Sequence, residues 1–280
     1  MKKLYLINMS GGKDSTAMAL YFLEQKVENI NYIFADTGNE LQLTLDYLDY
    51  LETALDIQIT RVRADFTEDF ERRKSFIKKN WSPEQVEKAL PYLKPTGNPF
   101  LDMCMSRGIF PSPTKRFCTA ALKINPIEEE IITFIDDYDV IYNCQGVRAD
   151  ESRKRADLPV ENKHGYFPNV INYRPLLNWT AQDCFDIHKK HKIEPNPLYK
   201  NGSKRVGCAP CIYSNAQQTK ELFSRFPEEM EKIFYWESMV QKVSSHENPT
   251  FMPYDMENVI VSSIEEDDIP SCSSVYGLCE

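Results

Sequence analysis

The strongest chemical signal in the sequence is the run Ser10-Gly11-Gly12-Lys13-Asp14-Ser15. Two adjacent glycines let backbone N–H groups close around an anion, and a helix opening at Lys13 would add the positive end of its dipole. That is phosphate-binding chemistry. Lys13 supplies a point charge for the outer phosphates, Ser10 and Ser15 supply hydroxyls, and Asp14 places a carboxylate beside them. The four-residue spacer that precedes Gly-Lys-Ser in the Walker loop is missing, so this is a different phosphate turn. A glycine turn merely capped by Ser10 is the bland alternative, and a strand before with a helix after argues against it.

The cysteines carry the second signal. Cys208-Ala209-Pro210-Cys211 has the spacing with which two thiolates grip one metal or one cluster iron. A pair is half a site, and Cys272 and Cys279 near the C-terminus can complete a set of four around Zn²⁺ or an iron–sulfur cluster. A tail of low apolar content needs such a pin. The alternative is thiols that bind nothing, which is also the reading for Cys104, Cys144 and Cys184. His188 and His191, spaced for one helical face, either join the pair in a Cys₂His₂ zinc site or complement the end of their helix. A third signal is the basic stretch Arg148, Arg153, Lys154, Arg155: Arg148, two residues after Gly146, is placed to clamp an anion, and Lys154 and Arg155 read equally well as a solvated helix face.

Short apolar runs alternating with amphipathic stretches must position these residues, and that alternation predicts βαβ units and a mainly parallel sheet. Residues 3–9 read as a strand feeding the phosphate turn, 14–25 as a helix, 31–35 as a second strand, 41–55 as a helix, and Ile57, Ile59 and Val62 as a third strand. Residues 66–115 break the rhythm, with a charged helical stretch over 71–93 and then a proline- and glycine-bearing loop, and read as an insertion near the site. The alternation resumes with a helix over 126–135 and a strand over 140–144, and Thr180 with Asp183 forms a capping box for a helix ending at His191. A further helix over 219–243 and an irregular acidic tail follow a boundary near 215, which divides the chain into a nucleotide-binding domain, 1–215, and a C-terminal extension, 216–280.

The 280 residues carry a net charge of −9, with 42% hydrophobic and 27% charged, the balance of an ordinary globular protein. An acidic chain is unsuited to coating nucleic acid, so any nucleic-acid contact is a local substrate contact. The apolar run at the N-terminus is too short for a signal-peptide core and no run reaches the ~18 apolar residues of a membrane span. A cytoplasmic protein without a membrane partner is the expectation, and in that reducing setting the thiols read as ligands or buried groups before disulfides.

The loop resembles the PP-loop of the N-type ATP pyrophosphatases. Phe34-Ala35-Asp36-Thr37-Gly38-Asn39-Glu40, Gly146-Val147-Arg148-Ala149-Asp150-Glu151-Ser152 and Arg174-Pro175-Leu176-Leu177-Asn178-Trp179 are similar to the Asp-Thr-Gly, Gly-x-Arg and Pro-Leu-x-x-Trp segments of the phosphoadenosine phosphosulfate (PAPS) reductase family, over residues 4–215. The resemblance implies an adenine nucleotide α-hydrolase-like, Rossmann-like domain with its nucleotide at the carboxyl edge of the sheet. It also implies nucleotide contacts from residues 10–15, from Asp36, Thr37 and Gly38, and from Gly146 and Arg148; Asp36 is placed for Mg²⁺, ribose or adenine. Cluster-bearing members have a Cys-Cys pair followed by Lys and Pro. Here Cys118, Lys123 and Pro126 keep register while the second cysteine is Thr119, which adds a competing metal set: Cys118, the Cys208–Cys211 pair and one tail cysteine.

Retention of Lys13 and Asp14, which true PAPS reductases typically lack, points to ATP with Mg²⁺ and to cleavage between the α and β phosphates, with Lys13, Asp14 and Arg148 as catalytic groups. An unidentified acceptor would be adenylated, with transfer from a sulfur-donor protein as in the similar DNA-phosphorothioation proteins. Two alternatives stand beside this: a sulfonucleotide reductase using Cys279 or Cys118 as thiolate, and a nucleotide-binding module that does no chemistry.

Overall fold

The computed structural model describes residues 1–252. Its centre is a six-stranded sheet in the order β3-β2-β1-β4-β6-β5, with β1 (Lys3–Met9), β2 (Ile30–Ala35), β3 (Ile59–Val62), β4 (Val140–Cys144) and β6 (Val170–Tyr173) parallel and β5 (Glu161–Lys163) antiparallel at the edge. The fold class is therefore the α/β, mainly parallel class expected. β1 pairs with β2 on one side and β4 on the other, so successive connections leave it in opposite directions. At such a switch point the loops after the two central strands diverge and open a crevice. The loops after β1 and β4 are the glycine turn and the Gly146–Arg148 segment.

Helices α1 (Lys13–Glu24), α2 (Gln42–Leu55) and α9 (Ala181–His191) cover one face of the sheet, around Ile7, Met18, Leu20, Phe22 and Leu48. On the other face α7 (Asn125–Phe134) buries Ile127 and Ile131 against Leu4, Leu6, Ile33 and Ile141. The alternation of Leu4 and Leu6 to one side and Ile7 and Met9 to the other is the period-two register of a strand buried on both faces.

The 66–115 insertion differs from the reading of one charged helix and a loop. Residues 71–93 form parts of two helices, α3 (Thr67–Asn80) and α4 (Pro83–Ala89), because Ser82 and Gln85 make a reciprocal capping box and Pro83 stands at the first helical turn. The proline- and glycine-bearing stretch contains α5 (Pro99–Arg107). Its Asn98 cap, Pro99 at the start and Gly108 at φ +69° after the end are helix punctuation, not loop composition. Short α6 (Phe117–Thr119) runs through a π-turn (Ala120–Ile124) into α7.

The remaining helices are α8 (Arg153–Ala156), α10 (Pro197–Lys200), α11 (Ala216–Arg225) and α12 (Pro227–Gln241). The single helix read over 219–243 is two, broken at Pro227, whose missing N–H and ring cannot continue α11. These two helices pack on the insertion in one apolar cluster with Phe70, Phe100 and Met103; Phe100 stacks on Trp236 with ring centroids 5.0 Å apart. Insertion and extension thus share a core across the boundary at 215. Among the described residues no helix is long and apolar enough to cross a membrane.

Candidate functional site

The glycine turn is built as the residue types require. Gly11 has φ +75°, and a Cβ there would lie 2.8 Å from Thr44 Cγ2. The Ser10 backbone N–H and hydroxyl both donate to Ser15 Oγ (3.1 and 3.0 Å), and Ser15 Oγ donates to the Gly12 carbonyl (3.1 Å). Ser10 and Ser15 therefore brace the turn against the first turn of α1. Gly146 packs close from the other side: a Cβ on it would stand 3.2 Å from the Ser15 backbone nitrogen, a tight contact that would push the β4 loop away from α1 by a few tenths of an ångström.

A charged chain spans the crevice. Lys13 Nζ lies 2.9 Å from Asp14 Oδ2, and Arg148 Nε lies 2.7 Å from Asp14 Oδ1. Asp14 is fully buried, and Lys13 and Arg148 nearly so. Arg148 Nη1 also donates to Asp150, and its backbone N–H donates to Glu151 at 2.9 Å. Burial works against the Arg148 charge, but Asp14, Glu151 and Asp150 more than offset it, so its pKa is raised. Two of the guanidinium donors expected on an anion are thus directed at carboxylates, and Arg148 orients Asp14, which in turn holds Lys13. In the rest of the basic stretch, Arg155 is buried and bonded to Glu151, whereas Lys154 is exposed.

Asp36 and Thr37 follow β2. Asp36 accepts from the Gly38 N–H at 2.9 Å and pairs with Arg63 at 3.0 Å; Thr37 donates its hydroxyl to Glu40 at 2.7 Å. This segment docks the cysteine loop: the Ala209 N–H donates to the Asn39 carbonyl (2.7 Å) and Asn39 Nδ2 to the Pro210 carbonyl (2.9 Å). Cys208 Sγ is then 3.7 Å from Thr37 Oγ1 and 3.8 Å from Glu40 Oε1. Burial raises the Glu40 pKa, against the opposing Lys123 charge and the Thr37 hydrogen bonds. Cys118, Cys208 and Cys211 line one small cavity with Thr37, Thr119 and Lys123. Three thiols thus converge, but among the described residues no group of three or more Cys, His, Asp or Glu has metal-binding geometry. Cys272 and Cys279 lie outside the described residues, so neither four-cysteine set is closed here. The Cys₂His₂ reading does not hold: His191 Nε2 bonds Glu24 at 2.6 Å and His188 Nε2 sits 3.0 Å from the Lys13 carbonyl, both away from the cysteine loop. Cys104, Cys144 and Cys184 are buried as expected, but Cys184 lies against Asp14, and burial first, Asp14 second, push its thiol pKa up.

Several residues of the site carry no motif. From α10 and its cap, Asn196 Nδ2 donates to the Gly11 carbonyl (3.0 Å) and the Tyr199 hydroxyl accepts from the Lys13 N–H (3.0 Å). From the sheet, Asn8 Nδ2 donates to Asn143 Oδ1 (2.6 Å) and to the Cys144 carbonyl (2.7 Å), and Asn143 Nδ2 to Asn172 Oδ1 (3.0 Å). A backbone carbonyl only accepts, so Cys144 fixes the amide orientation of Asn8. Asn8 Oδ1 is buried without a hydrogen-bond partner, and Asn8 is one of the residues that line the cleft of Ser10, Glu40 and Lys123. The only signal in the sequence was a polar residue at an inward strand position. The spacing of His188 in the sequence does not reveal its place behind the loop, against the Lys13 carbonyl. Burial lowers its pKa below 6.5, opposed by its hydrogen bonds to the Lys13 and Ile193 backbone and by the Asp14 charge, with Lys13 adding to the lowering. Folding therefore favours the neutral ring: the stability it contributes is present above about pH 6.5 and is lost as pH falls through the lowered folded value. Urea midpoints are expected to drop from about pH 7.5 to about 5.5, and less steeply in His188→Gln. An equal drop in that variant would assign the acid sensitivity elsewhere.

A glycine turn between the central strand and its helix, at the switch point of a parallel sheet, is the architecture of an α/β nucleotide-binding fold. The chain belongs to the phosphoadenosine phosphosulfate reductase domain family, which it matches over residues 5–214. It is similar to an uncharacterized 37.8 kDa protein of Escherichia phage 186, 43% identical over 264 residues that cover 89% of this chain and 78% of that protein. It is also similar to an uncharacterized protein of Methanocaldococcus jannaschii, 27% identical over 85% of this chain, and spans about half (51%) of that protein's length. Among solved structures it is similar to PAPS reductase from Candida auris, at 17% identity and a TM-score of 0.46 over 73% of this chain and 80% of that one.

Proposed function

We propose that this chain binds ATP at the glycine turn and cleaves it between the α and β phosphates, transferring the adenylyl group to an acceptor. The carrying observation is the Lys13–Asp14–Arg148 chain: a buried cation anchored beside a backbone anion cradle, where a nucleotide with terminal phosphates gains most. In the step, an acceptor oxygen attacks the α-phosphorus and forms a new P–O bond. The bond from that phosphorus to the α–β bridging oxygen breaks, and pyrophosphate leaves with the electron pair. Lys13 and the loop N–H groups stabilise the charge that develops on the departing pyrophosphate. Mg²⁺ bound with ATP would screen the charge of its phosphates. An acceptor activated in this way is ready for sulfur from a donor protein.

Side-by-side calorimetry with ATP, adenosine phosphosulfate and PAPS tests the reading, together with a pyrophosphate assay. ATP is expected to bind most tightly, and pyrophosphate to appear only when acceptor is present. Release of sulfite from either sulfonucleotide would transfer the assignment to a reductase, the second reading, which the convergence of Cys118 and Cys208 beside the cleft favours. Zinc and iron contents of Cys118→Ser and of Cys272→Ser/Cys279→Ser, purified without oxygen, separate the two metal-ligand sets: metal lost in Cys118→Ser selects the set that contains Cys118, and metal retained there but lost in the tail variant selects the other.

A further inference from the structure

Asn196 reaches the glycine turn from 185 positions along the chain. It is fully buried; its Nδ2 donates to the Gly11 carbonyl at 3.0 Å, and its Oδ1 accepts from the Leu198 N–H at 3.0 Å. A carbonyl only accepts and a backbone N–H only donates, so these two contacts fix the amide in one orientation. Each half has its own task. Through Oδ1 the side chain caps α10, ahead of Pro197 at the first helical position, and a cap needs only an acceptor, which serine or aspartate supplies equally well. The donor half serves the turn.

The peptide that Asn196 clasps joins Gly11 to Gly12, and its other end is held by a long bond from the Gly12 N–H to Ser10 Oγ, 3.3 Å. The next peptide is tied more firmly: the Gly12 carbonyl accepts from the Ser15 and Thr16 hydroxyls at 3.1 and 3.0 Å, and the Lys13 N–H donates to the Tyr199 hydroxyl at 3.0 Å. A peptide between two glycines has no Cβ on either side to oppose its rotation as a rigid unit. Such a flip turns ψ of Gly11 and φ of Gly12 by about 180°, which carries Gly12 from its φ of −87° into the positive region that glycine enters freely. The carbonyl oxygen then stands where the N–H stood, on the side of Ser10, which lines the cleft beside the turn. An N–H there attracts a phosphate, and a carbonyl repels it. We propose that Asn196 is a positioning residue of the phosphate site: by holding the Gly11 carbonyl it keeps the Gly11–Gly12 peptide from flipping and the turn preorganised for an anion. This role rests on the phosphate reading of the turn given above.

The test is calorimetry on the full chain with inorganic pyrophosphate and with ATP, each with Mg²⁺, alongside a melting curve of every preparation. Asn196→Ser keeps an acceptor for the Leu198 N–H and is too short to reach Gly11; the isosteric Asn196→Asp fills the same volume and caps α10 but cannot donate. Both variants are expected to melt cooperatively and to bind pyrophosphate about tenfold or more weakly, the scale of one hydrogen bond to a charged group. In Asn196→Ser, ATP is expected to weaken by the same factor as pyrophosphate, because the loss lies in the phosphates that the two ligands share. A loss for ATP that exceeds the loss for pyrophosphate by about tenfold would instead mark a general loosening that reaches the nucleoside contacts, and would overturn the positioning role. Pyrophosphate affinity within about threefold of wild type in either folded variant overturns it as well, and leaves the phosphate reading standing. A wild-type chain that binds neither ligand at millimolar concentration removes the phosphate reading, and the role of Asn196 with it.

Discussion

Lys13→Ala is expected to weaken ATP binding about 100-fold, because a hydrogen bond to a charged group contributes roughly 1.5–3 kcal/mol and each 1.4 kcal/mol is tenfold in affinity. The upper part of that range applies because the ammonium also neutralises Asp14, 2.9 Å away. Without it a buried carboxylate faces the incoming phosphates. Pyrophosphate release should fall further, by about 10²–10³ as for the loss of one stabilising donor in a preorganised site. The fold should survive, since Asp14 keeps Arg148 at 2.7 Å. Calorimetry and a melting curve on the same preparation decide the matter, and unchanged ATP affinity in a folded variant would remove the loop from the nucleotide site.

Arg148→Ala is expected to act on stability as much as on ligand binding. It strips a fully buried Asp14 of a cationic partner, and breaking a buried pair costs about 3–5 kcal/mol through the charge left behind. The partner Asp150 is lost with it. Because the charge on Asp14 is the source of the cost, Asp14→Asn in the same chain should recover part of it, so the double variant is more stable than the two single losses add up to. Denaturant midpoints for the four proteins measure this coupling. A loss below about 1 kcal/mol in Arg148→Ala, the level of an exposed pair, would show that the guanidinium is not what holds Asp14.

Where reading the sequence succeeded and where it stopped have physical causes. The strand at Lys3–Met9 and the strand at Val140–Cys144 were legible to the residue, because runs buried on both faces leave a continuous apolar signature. The helix ending at His191 was legible because its capping box is local. The three-residue antiparallel partner of β6 and most of the insertion were not. β5 is polar throughout and is held by pairing, with Asn162 accepting from Arg174 at 2.7 Å. In the insertion, prolines and a glycine that open and close α5 imitate the composition of a loop, and only packing of α5 against Trp236 shows the helix.

The sequence by itself determined the phosphate turn, the family and the parallel sheet, since each depends on residue types at short spacing: glycines for a backbone that must turn, a lysine and two serines within six positions, and apolar periods of two and 3.6. Tertiary structure alone decided that Arg148 serves Asp14, that Tyr199, Asn196 and His188 hold the loop from behind, and that Cys118 meets the Cys208–Cys211 pair while His188 and His191 do not. Those contacts join residues from about 90 to 190 positions apart. No local spacing encodes such a meeting. It follows from the strand order, which brings the ends of β1, β2 and β4 to one edge of the sheet and delivers their loops to a common crevice.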